Sequence, residues 1–299
     1  MSFAANVICD SISTVGVRLT TITATYPLII HPEVLTHRDR ERNAGSNRAI
    51  PFSKLWNAVI SEPFVPIEWG REQSGMHTGE PIPEYLAEYA RKRWLDGLAM
   101  MASVSSDVHN IGSAYAADPA TDKSLMSPGD ESIRIHKSIP NRLLNPWQWI
   151  TVVMTATEWN NFFRLRCHPD AEVHFRKIAG MIRDALAESQ PQVLRPGEWH
   201  RPFVRGVDEY DLKGWFSDYE INSISTARVA RVSYLTHDGE INVSKDFKRF
   251  DSLCEGSGFG HWSPHGHVAE CQEDPNFRSG PFRGWKQFRK QFANENVEG

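Results

Sequence analysis

Hydrophobic and polar positions divide the chain into segments of different period. Residues 14–30 (TVGVRLTTITATYPLII) are rich in β-branched side chains and partly alternate apolar with polar, the period of a long strand or hairpin. A polar, arginine-rich stretch follows Pro32. Pro51 then opens a helix through Ile60, with Phe52, Leu55, Trp56 and Val59 at helical spacing. Residues 61–82 carry Pro63, Pro66, Gly70, Gly75, Gly79 and Pro81 and read as a long loop. Tyr85, Leu86, Tyr89, Trp94, Leu98 and Met101 place an apolar face on a helix over 83–105, and the Ser-, Asp-, Gly- and Pro-rich 106–132 reads as a mobile connection. Residues 145–165 (NPWQWITVVMTATEWNNFFRL) give a further helical pattern. Pro169 restarts a helix that buries Phe175, Ile178, Ile182 and Leu186, with Asp170 and Glu172 suited to its positive end.

Residues 190–225 hold Pro191, Pro196, Gly197 and Pro202, as a boundary would. Beyond them ARVARVSYL reads as a strand, 241–254 as a helix, and the remainder as a Gly/His-rich loop. The order predicts an α+β protein, an antiparallel or mixed sheet flanked by helices. We expect one integrated domain over 1–299, with 61–132 and 190–225 as possible insertions.

Composition narrows the function classes. A hydrophobic fraction of 40% with 11% aromatics can build a core and excludes global disorder. The formal charge of −4 places any anion site in a local basic cluster rather than over the whole surface. Cys9, Cys167, Cys254 and Cys271 are widely spaced without a C-x-x-C pair, which argues against a disulfide framework and fits a reducing cytoplasm. The first residues lack a basic n-region, and no apolar run reaches membrane-spanning length, so neither a signal peptide nor a membrane partner is expected.

Candidate chemistry concentrates in three places. In THRDRERNAGSNRAI (36–50), Arg38, Arg40, Arg42 and Arg48 crowd together with His37, Asn43 and Ser46, a donor set suited to phosphate oxygens. On composition alone the same stretch reads as a solvated charged turn, since Asp39 and Glu41 alternate with the arginines. The second place runs from Arg142 through Pro146 and Thr151 to Asn161, Phe162 and Arg166, where polar groups interrupt what otherwise reads as core. The third comprises ARVSY (230–234) and HWSPHGHVAE (261–270). His261, His265 and His267 there have a spacing that zinc could use. Pro264 breaks any helix that would align them and no fourth ligand is evident, so no metal is expected. GSGFG (256–260) lacks the final glycine of a dinucleotide fingerprint.

Together these segments resemble the flavin-dependent thymidylate synthases. H-R-x₇-S with Asn43 before the serine and Arg48 after it is similar to that family's signature, although Thr36 and Ala44 stand where an Arg and a Glu are usual. The R-x₃-P, Thr and N-F-x-x-L-R elements are matched at Arg142, Pro146, Thr151, Asn161, Phe162 and Arg166. ARVSY and H-x-S-P are matched at 230–234 and 261–264, with Gly266 where the family has Glu. The order is rotated, as in a circularly permuted form similar to those of bacteriophages. The resemblance implies that His37, Arg38, Asn43, Asn161, Ser233, His261 and Ser263 contact FAD. It also implies that Ser46, Arg48, Arg142 and Arg166 hold the nucleotide, with Arg166 at the pyrimidine as the catalytic group, since a fixed guanidinium stabilises charge developing on the ring.

The implied reaction moves a one-carbon unit from methylenetetrahydrofolate to C5 of dUMP, with NADPH as electron source, in a homotetramer whose sites lie between subunits. Glu33 stands where the family typically has a Gln on the nucleotide. An ionised carboxylate only accepts hydrogen bonds, which would suit a cytosine amino group. A dCMP methylase or a hydroxymethylase is therefore one alternative, against the simpler pairing of Glu33 with a nearby arginine. A non-catalytic nucleic-acid-binding protein is the alternative of another class. The acidic balance and the lack of aromatic–basic interleaving weigh against it, and no nucleic-acid partner is expected.

Overall fold

The computed structural model describes residues 1–74, 79–204, 211–234, 242–255 and 260–295. β1 (Ala4–Ser13) and β2 (Arg18–Pro27) form an antiparallel hairpin. Its turn is closed by Ser13 Oγ, which accepts from Val17 N, and by Gly16 at φ +83°, a conformation that favours glycine. The hairpin begins ten residues before the expected segment. β3 (Glu41–Ala44), β4 (Trp149–Ala156) and β5 (Gln192–Leu194) complete a mixed sheet of order β3-β4-β2-β1-β5, in which only β5 pairs in parallel.

Pairing β2 with β4 sorts the side chains by parity. Ile22, Ala24 and Tyr26 share one face with Ile150, Val152 and Met154, and Phe175, Ile178, Ile182 and Leu186 of the helix α7 (Val173–Glu188) cover it. These four were expected to be buried, and each contributes about 2 kcal/mol of apolar burial. Glu172 caps that helix, accepting from Phe175 N. The opposite face carries Thr21, Val153 and Thr155, with Val229 and Val232 packed on Val153.

α1 (His31–Val34) follows β2 through a single turn, α2 (Phe52–Ser61) starts behind Pro51 as expected, and α3 runs over Glu84–His109. α4 (Ile111–Ala117) and two 3₁₀ turns occupy the segment read as a mobile connection. α5 (Pro140–Leu143) joins α2 and α3 in a separate apolar cluster around Leu55, Val59, Leu98, Leu144 and Trp147.

Two elements differ from expectation. The segment 145–165 is not one helix: β4 takes Trp149–Ala156 and α6 takes Asn160–Arg166. Ile150, Thr151, Val152, Val153 and Thr155 are β-branched, and a strand buried on both faces shows no alternation to distinguish it from a buried helix. Conversely, ARVARVSYL is not a strand over 227–234, the part of it that is described. Its first residues end the helix α8 (Asp218–Ala230), and Arg231–Tyr234 form a 3₁₀ turn. A Ser217/Glu220 capping box starts α8, and every residue from Ile221 to Ala230 is buried, so no amphipathic stripe shows.

α9 (Val243–Glu255) packs on α8. There Asp246 accepts from Arg228 Nε at 3.0 Å and Arg231 Nη2 at 2.6 Å, with its carboxylate fully enclosed. A second sheet of β6 (Trp199–His200), β7 (Ala269–Cys271) and β10 (Trp285–Gln287) has the order β10-β7-β6, and β8 (Arg278–Ser279) pairs with β9 (Phe282–Arg283). No helix among the described residues is long and apolar enough to cross a membrane.

Candidate functional site

β3 brings the three sequence segments together. Its parity follows β4, so Glu41 and Asn43 face the turn at 263–267 while Arg42 faces α1. Asn43 Nδ2 donates to Val229 O at 3.2 Å, and Asn43 Oδ1 accepts from Ser263 Oγ at 3.1 Å. Ser46 N donates to Ser233 O at 3.3 Å. Segments more than 180 residues apart thus meet around one four-residue strand.

Gly266 has a physical reason in this place. A Cβ there would lie 2.8 Å from Glu41 Cδ and 3.1 Å from Gln287 Nε2. The Glu41 carboxylate fills that space, held by Gln287 Nε2 at 2.7 Å. Neither Glu41 nor Gln287 carried a motif that singled it out.

After β3 the chain turns into a cavity of about 240 Å³. Ser46, Asn47, Arg48, Arg142, Gln148 and Thr151 line its polar side, and Leu28, Ile50, Leu55, Val59, Trp149 and Ile150 its apolar side, with His31 at the start of α1 also lining it. Arg48 and Arg142 make no hydrogen bond or ion pair from their side chains among the described residues, and no carboxylate lines the wall. Two unneutralised guanidinium groups beside a hydroxyl favour an anion, and the apolar wall suits a ring. Ser46 Oγ accepts from Arg48 N at 3.2 Å and is bonded to no imidazole among the described residues, so no base activates it as a nucleophile. Arg142 was expected to be awkward to bury; it is exposed instead, as is Asn161.

Arg166 lies elsewhere. Its Nε donates to His37 Nε2 at 2.8 Å, and its guanidinium lies 4.6 Å from the centre of the Phe175 ring. His37 is buried and packs edge-on against Phe162 and Phe175. Burial, then Arg40 and Arg166, lower its pKa to about 4, so it is neutral and accepts at Nε2. Arg166 faces an open groove with Arg164, His168 and Asp170. Glu33 belongs to this second group: burial and then the Glu172 carboxylate push its pKa up, with Arg166 opposing. Glu33 therefore sits apart from the cavity of Ser46, Arg48 and Arg142, and within one chain Arg166 does not share that cavity.

Among the residues assigned to a flavin, Arg38, Asn161 and His261 are exposed and, with the Ser233 hydroxyl, carry no side-chain partner among the described residues. Asn43 and Ser263 are bonded to each other, and His37 to Arg166. A cation, an amide, an imidazole and a hydroxyl remain for a cofactor, a donor set that fits pyrophosphate and ring carbonyl oxygens. His265 and His267 are buried and face different partners, Cys254 Sγ and Thr155 Oγ1. Residues 75–78 of the loop read over 61–82 and 256–259 of GSGFG lie outside the described residues.

No family model matches the chain, and no curated protein matches it. Among solved structures it is similar to the UMP/dUMP methylase PolB from Streptomyces cacaoi, crystallised with 5-Br dUMP. That likeness has a TM-score of 0.42 and 12% identity, over 62% of this chain and 90% of the other. At that level it assigns neither fold nor activity to this chain.

Proposed function

We propose that this protein is a flavin-dependent pyrimidine nucleotide C5 methylase of the thymidylate synthase type, acting on dUMP. The observation that carries the reading is the cavity in which Ser46, Arg48 and Arg142, three residues marked by motif spacing alone, stand together against an apolar wall, both guanidinium groups unpaired among the described residues. Its volume of about 240 Å³ is at the small end for ligand sites and is small for a dinucleotide cofactor.

In this reading Arg48 and Arg142 hold the phosphate, Ser46 adds a hydrogen bond, and the base lies towards Leu28, Trp149 and Ile150. Arg38, Asn161, Ser233 and His261 hold FAD, which when bound carries the hydride from NADPH. The C5 proton leaves, the methylene carbon of methylenetetrahydrofolate takes its place, and the hydride completes the methyl group, so dUMP, methylenetetrahydrofolate, NADPH and a proton give dTMP, tetrahydrofolate and NADP⁺. Arg166 stabilises charge developing on the ring, oriented by the bond to neutral His37. Because Arg166 and the cavity are separate within one chain, a second copy supplies Arg166 to the cavity of the first, in a homotetramer.

Mixing tests both parts. Arg48→Ala and Arg166→Ala variants, each inactive alone in dTMP formation with FAD, NADPH and methylenetetrahydrofolate, regain activity when combined. A wild-type protein that neither binds FAD nor forms dTMP overturns the reading, and a mixture that stays inactive beside an active wild type overturns the shared site.

A further inference from the structure

The cavity holds two polar groups that no motif marked. His31 Nδ1 lies 2.9 Å from Tyr26 Oη. Tyr26 is fully buried, and His31 is the only partner of its hydroxyl among the described residues. If the hydroxyl accepted from Nδ1–H, its own proton would be sealed in the core without an acceptor. Leaving a buried donor unpaired costs more than leaving a lone pair unused. Tyr26 therefore donates, Nδ1 accepts, and the imidazole proton sits on Nε2. Burial and the nearby Arg42 lower the His31 pKa, which keeps the ring neutral in this tautomer. Nε2 has no partner among the described residues and is not enclosed by protein, and His31 is one of the residues that line the cavity.

Gln148 is fixed in the same way. Its Nε2 donates to Asn141 O at 2.5 Å, and a backbone carbonyl only accepts, so the amide cannot be the other way round. Oε1 is left without a partner among the described residues, unsealed, on a residue that lines the cavity. The two residues come from adjoining segments, since Leu28 N donates to Gln148 O at 2.8 Å. The wall therefore presents a fixed donor, His31 Nε2–H, and a fixed acceptor, Gln148 Oε1.

We propose that His31, pinned by Tyr26 and paired with Gln148, reads the base edge and selects a uracil-type over a cytosine-type nucleotide. This rests on the cavity being the nucleotide site. With the phosphate gripped at Arg48 and Arg142, a uracil ring offers its C4 carbonyl to His31 and its N3–H to Gln148. In the same pose a cytosine ring sets its amino group against the His31 N–H and its N3 lone pair against the Gln148 oxygen. Both contacts are mismatched, and a site built to hydrogen-bond one edge rejects the other by leaving buried groups unpaired. Glu33, the residue whose charge suggested cytosine, stands outside the cavity and takes no part in the choice.

Calorimetric titration of the FAD-loaded protein with dUMP and with dCMP tests this. The wild type binds dUMP about tenfold or more tightly than dCMP. His31→Phe, which keeps the ring and removes the donor, loses that preference by weakening dUMP and leaving dCMP unchanged. Tyr26→Phe touches nothing in the cavity but frees the tautomer, and it reduces the preference too, deciding the matter if His31→Phe does not fold. Equal binding of the two nucleotides by the wild type, or a preference that survives both substitutions, overturns the role of His31. Failure of the wild type to bind either nucleotide overturns the nucleotide reading of the cavity itself.

Discussion

His37 and Arg166 act as a unit. Nε2 of a neutral imidazole fixes the guanidinium at Nε while Phe175 supports its plane, which leaves the two terminal amino groups free to meet a ligand. A lysine at 166 keeps the charge but loses both the fork and the stacking. Arg166→Lys is expected to lower kcat by about 10²-fold while leaving KM for dUMP nearly unchanged, as steady-state dTMP formation would show. A rise in KM with kcat intact would make Arg166 a ground-state binding group instead. At this scale the sequence was partly legible. Spacing picked out Ser46, Arg48 and Arg142, and these three share a cavity. It was silent on His31 and Gln148, whose meaning comes from what their other ends bond, Tyr26 and Asn141, and spacing does not record that.

Secondary-structure elements carry the site through two junctions that can be broken separately. Where β3 meets the turn at 263–267, Gly266 leaves room for the Glu41 carboxylate. Gly266→Ala is expected to cost about 1–3 kcal/mol in urea denaturation, since a methyl group must displace the carboxylate or Gln287. An unchanged midpoint would mean that the turn yields freely. Where α8 meets α9, one enclosed carboxylate serves two guanidinium groups. Asp246→Asn removes the carboxylate that accepts from both cations and is expected to cost about 3–5 kcal/mol, read in the same experiment. These elements were also the least legible. β4 is buried on both faces and α8 on all sides, and burial without a polar face removes the periodicity that distinguishes strand from helix. α2, α3 and α7 each keep a wet face, and their extents were read to within a few residues.

Over the whole molecule, burial keeps several histidines neutral. His200, His265 and His267 have pKa values lowered to about 3, and His37 to about 4, in each case chiefly by desolvation. His200 and His267 are joined through Thr21 and Thr155 in a buried hydrogen-bonded chain beneath the sheet. Unfolded histidines take up protons near pH 6.5, whereas these folded ones do so only near 3 to 4. Their contribution is complete above pH 6.5 and is lost as pH falls through that window, by up to about 1.4 kcal/mol per pH unit for each. The melting temperature is therefore expected to fall steadily from pH 7 to pH 5, and less steeply in a His200→Gln variant. A flat profile would contradict burial of the neutral rings.

The most direct test of the account is release of tritium from [5-³H]dUMP by the FAD-loaded protein with NADPH and methylenetetrahydrofolate. Release by the wild type is expected to require methylenetetrahydrofolate and to drop at least about tenfold in Arg48→Ala and in Arg142→Ala. No release by the wild type, or release that survives both substitutions, would contradict it.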